Sequence, residues 1–206
     1  MSATVLAVFI PTFFFVSLTP GMCMTLSMTL GMTIGVRRTF WMMYGELLGV
    51  GLVAAASVAG VATVMLQYPT VFLLLKYLGG LYLGYLGVQM WLSRGKMAID
   101  LAAGGEIGCT PAQLALQGFV TAIANPKGWA FFIALLPPFI DARQALMPQL
   151  ALLLSMILSI EFFCLILYAG GGRTLNHLLQ KSANVRLLNR VAGSMMLAVG
   201  LWLALN

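Results

Sequence analysis

Charge is what this sequence has least of. Of its 206 residues only 8% are charged and 61% are hydrophobic, with a mean hydropathy of +0.99. A water-soluble domain carries roughly a quarter charged residues, so this chain has too little polar surface to stay in water. Acidic residues are scarcer than basic ones: 5 Asp+Glu stand against 11 Lys+Arg, a formal net charge of +6. That excess does not indicate nucleic acid. No basic block or aromatic-interleaved basic patch is present, and the cations sit mainly between apolar runs. Histidine occurs once, at His177, in a basic stretch where it reads as solvated. With no His cluster, no HExxH and no Ser/His pair at membrane depth, an intramembrane enzyme has little to work with. Cys23, Cys109 and Cys164 are odd in number and lack CxxC spacing, so free thiols are expected and no disulfide framework. A basic n-region is missing too, and the first apolar run far outlasts the roughly 7–15 residues of a signal-peptide core, so no cleavable leader is expected.

What is present is apolar length. A bilayer core takes about 20 helical residues, and six segments meet that requirement, near 4–32, 39–66, 70–92, 112–140, 146–169 and 187–205. The expectation is an all-α membrane protein, residues 1–206 forming one polytopic membrane domain with six transmembrane helices. Basic loops orient it. Arg37 and Arg38 follow the first segment, Arg94 and Lys96 follow the third, and Arg173, Lys181 and Arg186 precede the sixth, whereas the opposite side offers only Arg143. Both termini are therefore expected outside and those three loops in the cytoplasm.

The two halves look alike. Segment one carries Thr19-Pro20-Gly21-Met22 and segment four carries Asn125-Pro126-Lys127-Gly128; segment three carries Lys76-x-x-Gly79 and segment six Arg190-x-x-Gly193. Three spans per half force opposite orientations, so two inverted three-helix repeats (about 1–95 and 110–206) are expected, with helices one and four broken at proline. Paired broken helices in inverted repeats mark many secondary transporters.

Each break has a chemical consequence. Proline lacks an N–H and crowds the carbonyl four residues earlier, so Pro20 should free the C=O of Val16 and Pro126 that of Ala122. Unsatisfied backbone is tolerated at membrane depth only inside protein or beside a wet cavity. Each break also presents a half-helix N-terminus with partial positive charge. A lone membrane proline more often only kinks a helix. Here the breaks are paired, and Lys127 beside one of them costs about 2.5–3.5 kcal/mol on insertion scales, which favours a functional reading.

The remaining candidates divide by role. Glu46 and Glu161 are the carboxylates deep in spans, suited to carrying protons or holding an ammonium; the alternative for each is a structural pair with Arg or Lys. Lys76 lies near enough to an end of its span to snorkel. Tyr82 and Tyr85, three apart, share a helix face and could turn their hydroxyls to a cavity. Gly31-x-x-x-Gly35, Gly45-x-x-x-Gly49 and Gly80-x-x-x-Gly84 are small-residue spacings for close helix contact, within the chain or in a homodimer; Ser155 and Ser159 suit interhelical hydrogen bonds. Met22-Cys23-Met24 offers soft donors, which leaves soft-metal efflux as an alternative, although consecutive residues diverge around a helix.

Thr19-Pro20-Gly21, Gly45-x-x-x-Gly49, 76-KYLGGLYLGYLG-87 and 125-NPKGWAFFIALLPPFI-140 together resemble the amino-acid exporters of the LysE/RhtB family (lysine exporter, homoserine/threonine resistance type). The resemblance implies a bacterial inner-membrane exporter of amino acids or related small zwitterions, driven by proton antiport, with no cofactor or resident metal. On that reading Thr19, Pro20, Gly21, Asn125, Pro126, Lys127, Tyr82 and Tyr85 form the translocation site. Glu161 and Glu46 couple protons, while Lys76, Gly45 and Gly49 serve structure or gating. One departure stands out: the family's first motif usually continues Pro-Gly-Pro with a polar residue, but this chain has Pro20-Gly21-Met22-Cys23. A less polar pocket suits an apolar amino acid better than lysine or arginine.

Overall fold

The structure, a computed structural model, describes residues 3–92, 109–136, 139–141, 144–180 and 182–205. Arg94, Lys96, Arg143 and Lys181 lie outside the described residues, as do the side chains of Lys76, Pro126, Lys127 and Arg173.

Eight helices make up the described chain: α1 (Ala3–Leu18), α2 (Met22–Thr33), α3 (Val36–Gln67), α4 (Pro69–Leu92), α5 (Pro111–Ile123), α6 (Pro126–Leu135), α7 (Leu146–Gln180) and α8 (Ser182–Leu205). Two of them are long and apolar enough to cross a membrane, over Val36–Gly60 and Leu146–Gly172, and the pair Leu6–Leu18 and Met22–Thr33, bent by 57° at the Thr19-Pro20-Gly21 break, passes the same test as one broken span. Segment four is likewise divided, with α5 ending at Ile123 and α6 starting at Pro126.

Local chemistry sets the ends. Thr110 caps α5: its Oγ1 accepts from the Gln113 N–H at 3.3 Å, and the Gln113 side chain accepts from the Thr110 N–H at 2.8 Å, with Pro111 at the first helical position, where its missing N–H costs nothing. Gly35, at φ 82°, turns the chain between α2 and α3. α7 runs beyond its apolar part because Gly172, at φ 39°, bends it instead of ending it, so His177 is an exposed residue on a helix, not on a loop.

Glycine stripes decide how the helices pair. α3 packs mainly on α5, α4 on α8 and α2 on α7. A Cβ at Gly45 would collide with the Ala115 backbone, one at Gly49 would lie 2.7 Å from the Ala122 Cβ, and one at Gly118 would strike the Met42 carbonyl. Across the other pairs, Gly193 meets the Gly87 carbonyl, Gly200 meets Gly80, and Gly31 meets Ala169. These contacts use the small-residue spacings inside the chain. Ser155 and Ser159 bond back to Leu152 and Ser155 carbonyls of their own helix, at 2.8 and 2.7 Å.

Two apolar clusters fill the bundle at different depths. One joins Phe9 and Phe13 of α1, Val50–Val58 of α3, Phe131 and Phe132 of α6, and Leu153 and Ile157 of α7. The other joins Met28 and Leu30 of α2, Met42 and Met43 of α3, Leu114 of α5, Leu165 and Tyr168 of α7, and Val185 of α8. The two breaks fall between them.

Candidate functional site

Both breaks close on themselves more than proline chemistry alone predicts. The Val16 carbonyl accepts from the Thr19 N–H at 3.2 Å, and the Ala122 carbonyl accepts from the Asn125 N–H at 3.3 Å. These carbonyls were expected to be free. The last turn of each half-helix instead tightens to an i→i+3 pattern and recaptures them. Further carbonyls meet aromatic donors, Leu18 accepting from the Tyr168 hydroxyl at 2.8 Å and Ile123 from Trp129 Nε1 at 2.9 Å. Each break is thus stapled by a ring. Thr19 turns its hydroxyl onto the Phe15 carbonyl at 2.9 Å, closing the end of α1.

Between the breaks lies a pocket that residues of both broken segments line together. Part of the lining is polar: Ser17, Cys23, Glu46, Asn125 and Glu161, together with Thr19 and Gly21. Part is apolar: Phe13 and Val16 from α1, Val50 and Val53 from α3, Phe131 and Phe132 from α6. The ring of Phe13 lies 5.9 and 6.1 Å from those of Phe131 and Phe132, so aromatic contact joins α1 to α6 within the apolar part.

The polar part places two carboxylates at one depth. Glu46 is ten residues into α3, and Glu161 is eleven residues before the Gly172 bend of α7. At about 1.5 Å per residue, each is roughly 15 Å from its helix end, half of a bilayer core about 30 Å thick. α3 begins three residues earlier than its apolar run, with Arg37 and Arg38 inside the helix and exposed. The Cys23 thiol stands in the field of both carboxylates and close to Asn125.

Their surroundings differ. Glu161 is half-buried and accepts from the Ser17 hydroxyl at 2.6 Å. Glu46 is fully buried at 0% exposure, and among the described residues neither of its oxygens has a hydrogen-bond partner.

Half-helix ends complete the site. α2 starts at the cavity with Met22, Cys23 and Met24, and its N-cap Gly21 supplies no side-chain cap. Its first N–H groups therefore have no intrahelical acceptors and carry partial positive charge. Across the cavity the Asn125 carbonyl caps α6, accepting from the Gly128 N–H at 3.1 Å. The arrangement offers donors to an anionic group and carboxylates to a cationic one, together with apolar side chains.

Of the expected residues, Thr19, Gly21, Asn125, Glu46 and Glu161 come together here. Tyr82 and Tyr85 do not line the cavity: both are exposed on α4, their rings 6.2 Å apart, and Gln89 donates to the Tyr85 hydroxyl. Gly45 and Gly49 hold α3 to α5. Ser17 was missed, although a serine one turn before a membrane proline is a readable sign; the aromatic wall was missed because phenylalanine is ordinary in any span. Among the described residues no group of three or more His, Cys, Asp or Glu could hold a metal ion.

A protein family described as LysE type translocator matches residues 14–206. The chain is similar to a homoserine/homoserine lactone efflux protein of Salmonella typhi, 27% identical over 188 residues covering 91% of this chain and 90% of the relative. It is also similar to a leucine efflux protein of Enterobacter sp. (strain 638), 30% identical over 129 residues covering 62% of this chain and 60% of the relative. An uncharacterized membrane protein of Vibrio cholerae is 26% identical over 188 residues, 91% of this chain and 90% of the relative. No solved structure matches.

Proposed function

The chain belongs to the LysE type translocator family, and from that premise we propose that it exports small apolar amino acids across the bacterial inner membrane in exchange for protons. It is a transporter and not an enzyme. The observation that carries the substrate reading is the cavity between the breaks, whose lining combines two carboxylates and a half-helix end with apolar side chains. A zwitterion matches the polar part: its carboxylate faces the α2 N-terminus and Asn125, and its ammonium faces Glu46 and Glu161. Lys127, adjacent to the second break in sequence, is a further candidate for the substrate carboxylate. An aliphatic side chain matches Phe13, Val50, Val53 and Phe132. The relatives named for leucine and homoserine efflux agree with substrates of this size.

Helix packing supports the six-span inverted-repeat reading. Exchanging the first three spans with the last three turns α3–α5 into α7–α1 and α3–α6 into α7–α2, and it maps α4–α8 and α3–α7 onto themselves; all of these pairs are in contact. Rocking of one repeat on the other about the cavity would expose it alternately to each side. The cluster holding Leu30, Met42, Leu114, Leu179 and Val185 gathers the helix ends next to the basic junctions, and Arg38 donates to the Cys109 carbonyl there at 2.8 Å. That supports one basic, cytoplasmic end and termini outside.

The test is efflux from liposomes. Purified protein is reconstituted with a mixture of amino acids inside and an inward proton gradient imposed. Leucine or a similarly sized apolar amino acid should leave, lysine and arginine should stay, and Lys127→Ala should abolish the flux. If no amino acid leaves faster than from protein-free liposomes, the proposal fails.

A further inference from the structure

The two cavity carboxylates are related by the exchange of halves but are not equivalent. Each sits on the long second span of its half, α3 or α7, and those helices touch. Ser17, three residues before Pro20, donates to Glu161. The residue three before Pro126 is Ile123, which has nothing to donate, and Glu46 is left without a partner among the described residues. A buried carboxylate whose oxygens accept no hydrogen bond is costly as an anion, so it must take up either a proton or a cationic group. We propose that Glu46 is the exchange carboxylate, which holds the substrate ammonium and the driving proton alternately, whereas Glu161, tied to Ser17, is a fixed wall of the site. This inference rests on the exporter reading above.

The neighbours of Glu46 are few. From α2 the Cys23 thiol faces it and from α7 Glu161. α5 contributes Gly118 and Ala122 and has no ionisable side chain in its sequence. The only ionisable residue of α6 is Lys127 and the only lysine or arginine of α4 is Lys76, both with side chains outside the described residues. The Val16 and Ala122 carbonyls are already engaged within their own breaks, which leaves the carboxylates as the principal acceptors for an ammonium.

The exchange balances. Facing the cytoplasm, Glu46 loses its proton to water and accepts the ammonium of the amino acid. Facing outward, a proton from outside displaces the ammonium, and the protonated, empty carrier returns. One proton enters for each zwitterion that leaves.

Proton release on binding tests this. Wild type, Glu46→Gln and Glu46→Asp, each confirmed monodisperse in detergent, are titrated with L-leucine in weakly buffered solution containing a pH indicator. Wild type should release close to one proton per leucine bound. Glu46→Gln should release none and bind leucine about ten- to a hundredfold more weakly, the worth of a charge-assisted hydrogen bond. Glu46→Asp should restore release. Undiminished release from Glu46→Gln would overturn the assignment while leaving the exporter reading standing. A wild type that neither binds leucine nor exports any amino acid would overturn both.

Discussion

Ser17 and Ile123 occupy matching places before the two prolines, and the difference between a hydroxyl and a branched hydrocarbon there gives the two carboxylates different surroundings. Removing the hydroxyl should therefore matter more than its size suggests. Ser17→Ala leaves Glu161 without its 2.6 Å donor, a loss of about 1.5–3 kcal/mol for a hydrogen bond to a charged group. Leucine efflux by this variant should fall at least severalfold, with near-normal yield in the membrane, as measured in the reconstituted assay. Wild-type rates would show that the bond is incidental. The prolines, Asn125 and both carboxylates were legible in the sequence because each is expensive in an apolar run. Phe131, Phe132 and Val53 were not, since apolar residues suit lipid, core and cavity alike. Tyr82 and Tyr85 show the converse limit: a spacing of three puts two side chains on one face but says nothing about which way that face looks.

Helices pair here through missing side chains. At Gly118 the Met42 carbonyl and Glu46 amide occupy the space a Cβ would need, whereas at Gly60 nothing lies within 4 Å. Gly118→Val should therefore prise α5 from α3, an overpacking cost of about 1–3 kcal/mol or more, while Gly60→Ala should be silent. Thermal stability and monodispersity in detergent would separate the two; equal stability would mean that α3 and α5 do not approach as described. The small-residue spacings were readable, but their partners were not, because Gly-x-x-x-Gly serves contacts within and between chains equally. Element boundaries also ran past expectation where a helix left its apolar stretch. α3 begins at Val36 and carries Arg37 and Arg38, and α7 continues beyond Gly172 to Gln180. Hydropathy marks where a helix meets lipid, whereas backbone hydrogen bonding decides where it ends.

For the whole molecule, repeats, orientation and cavity form one argument. In the proposed architecture, an inverted pair of three-span repeats would bring two breaks and two carboxylates to the same depth, and the basic junctions would give that bundle a cytoplasmic end. Cys109, half-buried beside Arg38 at that end, should react with a membrane-impermeant maleimide in inside-out vesicles and not in intact cells. The opposite pattern would invert the topology and with it the direction assigned to export. Composition sufficed to identify a membrane protein. The convergence of Glu46 and Glu161 could not be read from it, since they lie on spans far apart in the chain.

The central claim is that the cavity between the breaks is where the amino acid binds, and Cys23 provides a built-in probe of it. In a Cys109→Ser, Cys164→Ser background, the rate at which methyl methanethiosulfonate modifies Cys23 is measured with and without saturating L-leucine. Leucine should slow modification severalfold, and an amino acid the protein does not export should leave the rate unchanged. Efflux of leucine by the same protein, combined with a Cys23 rate indifferent to it, would contradict the account and place the translocation path elsewhere in the bundle.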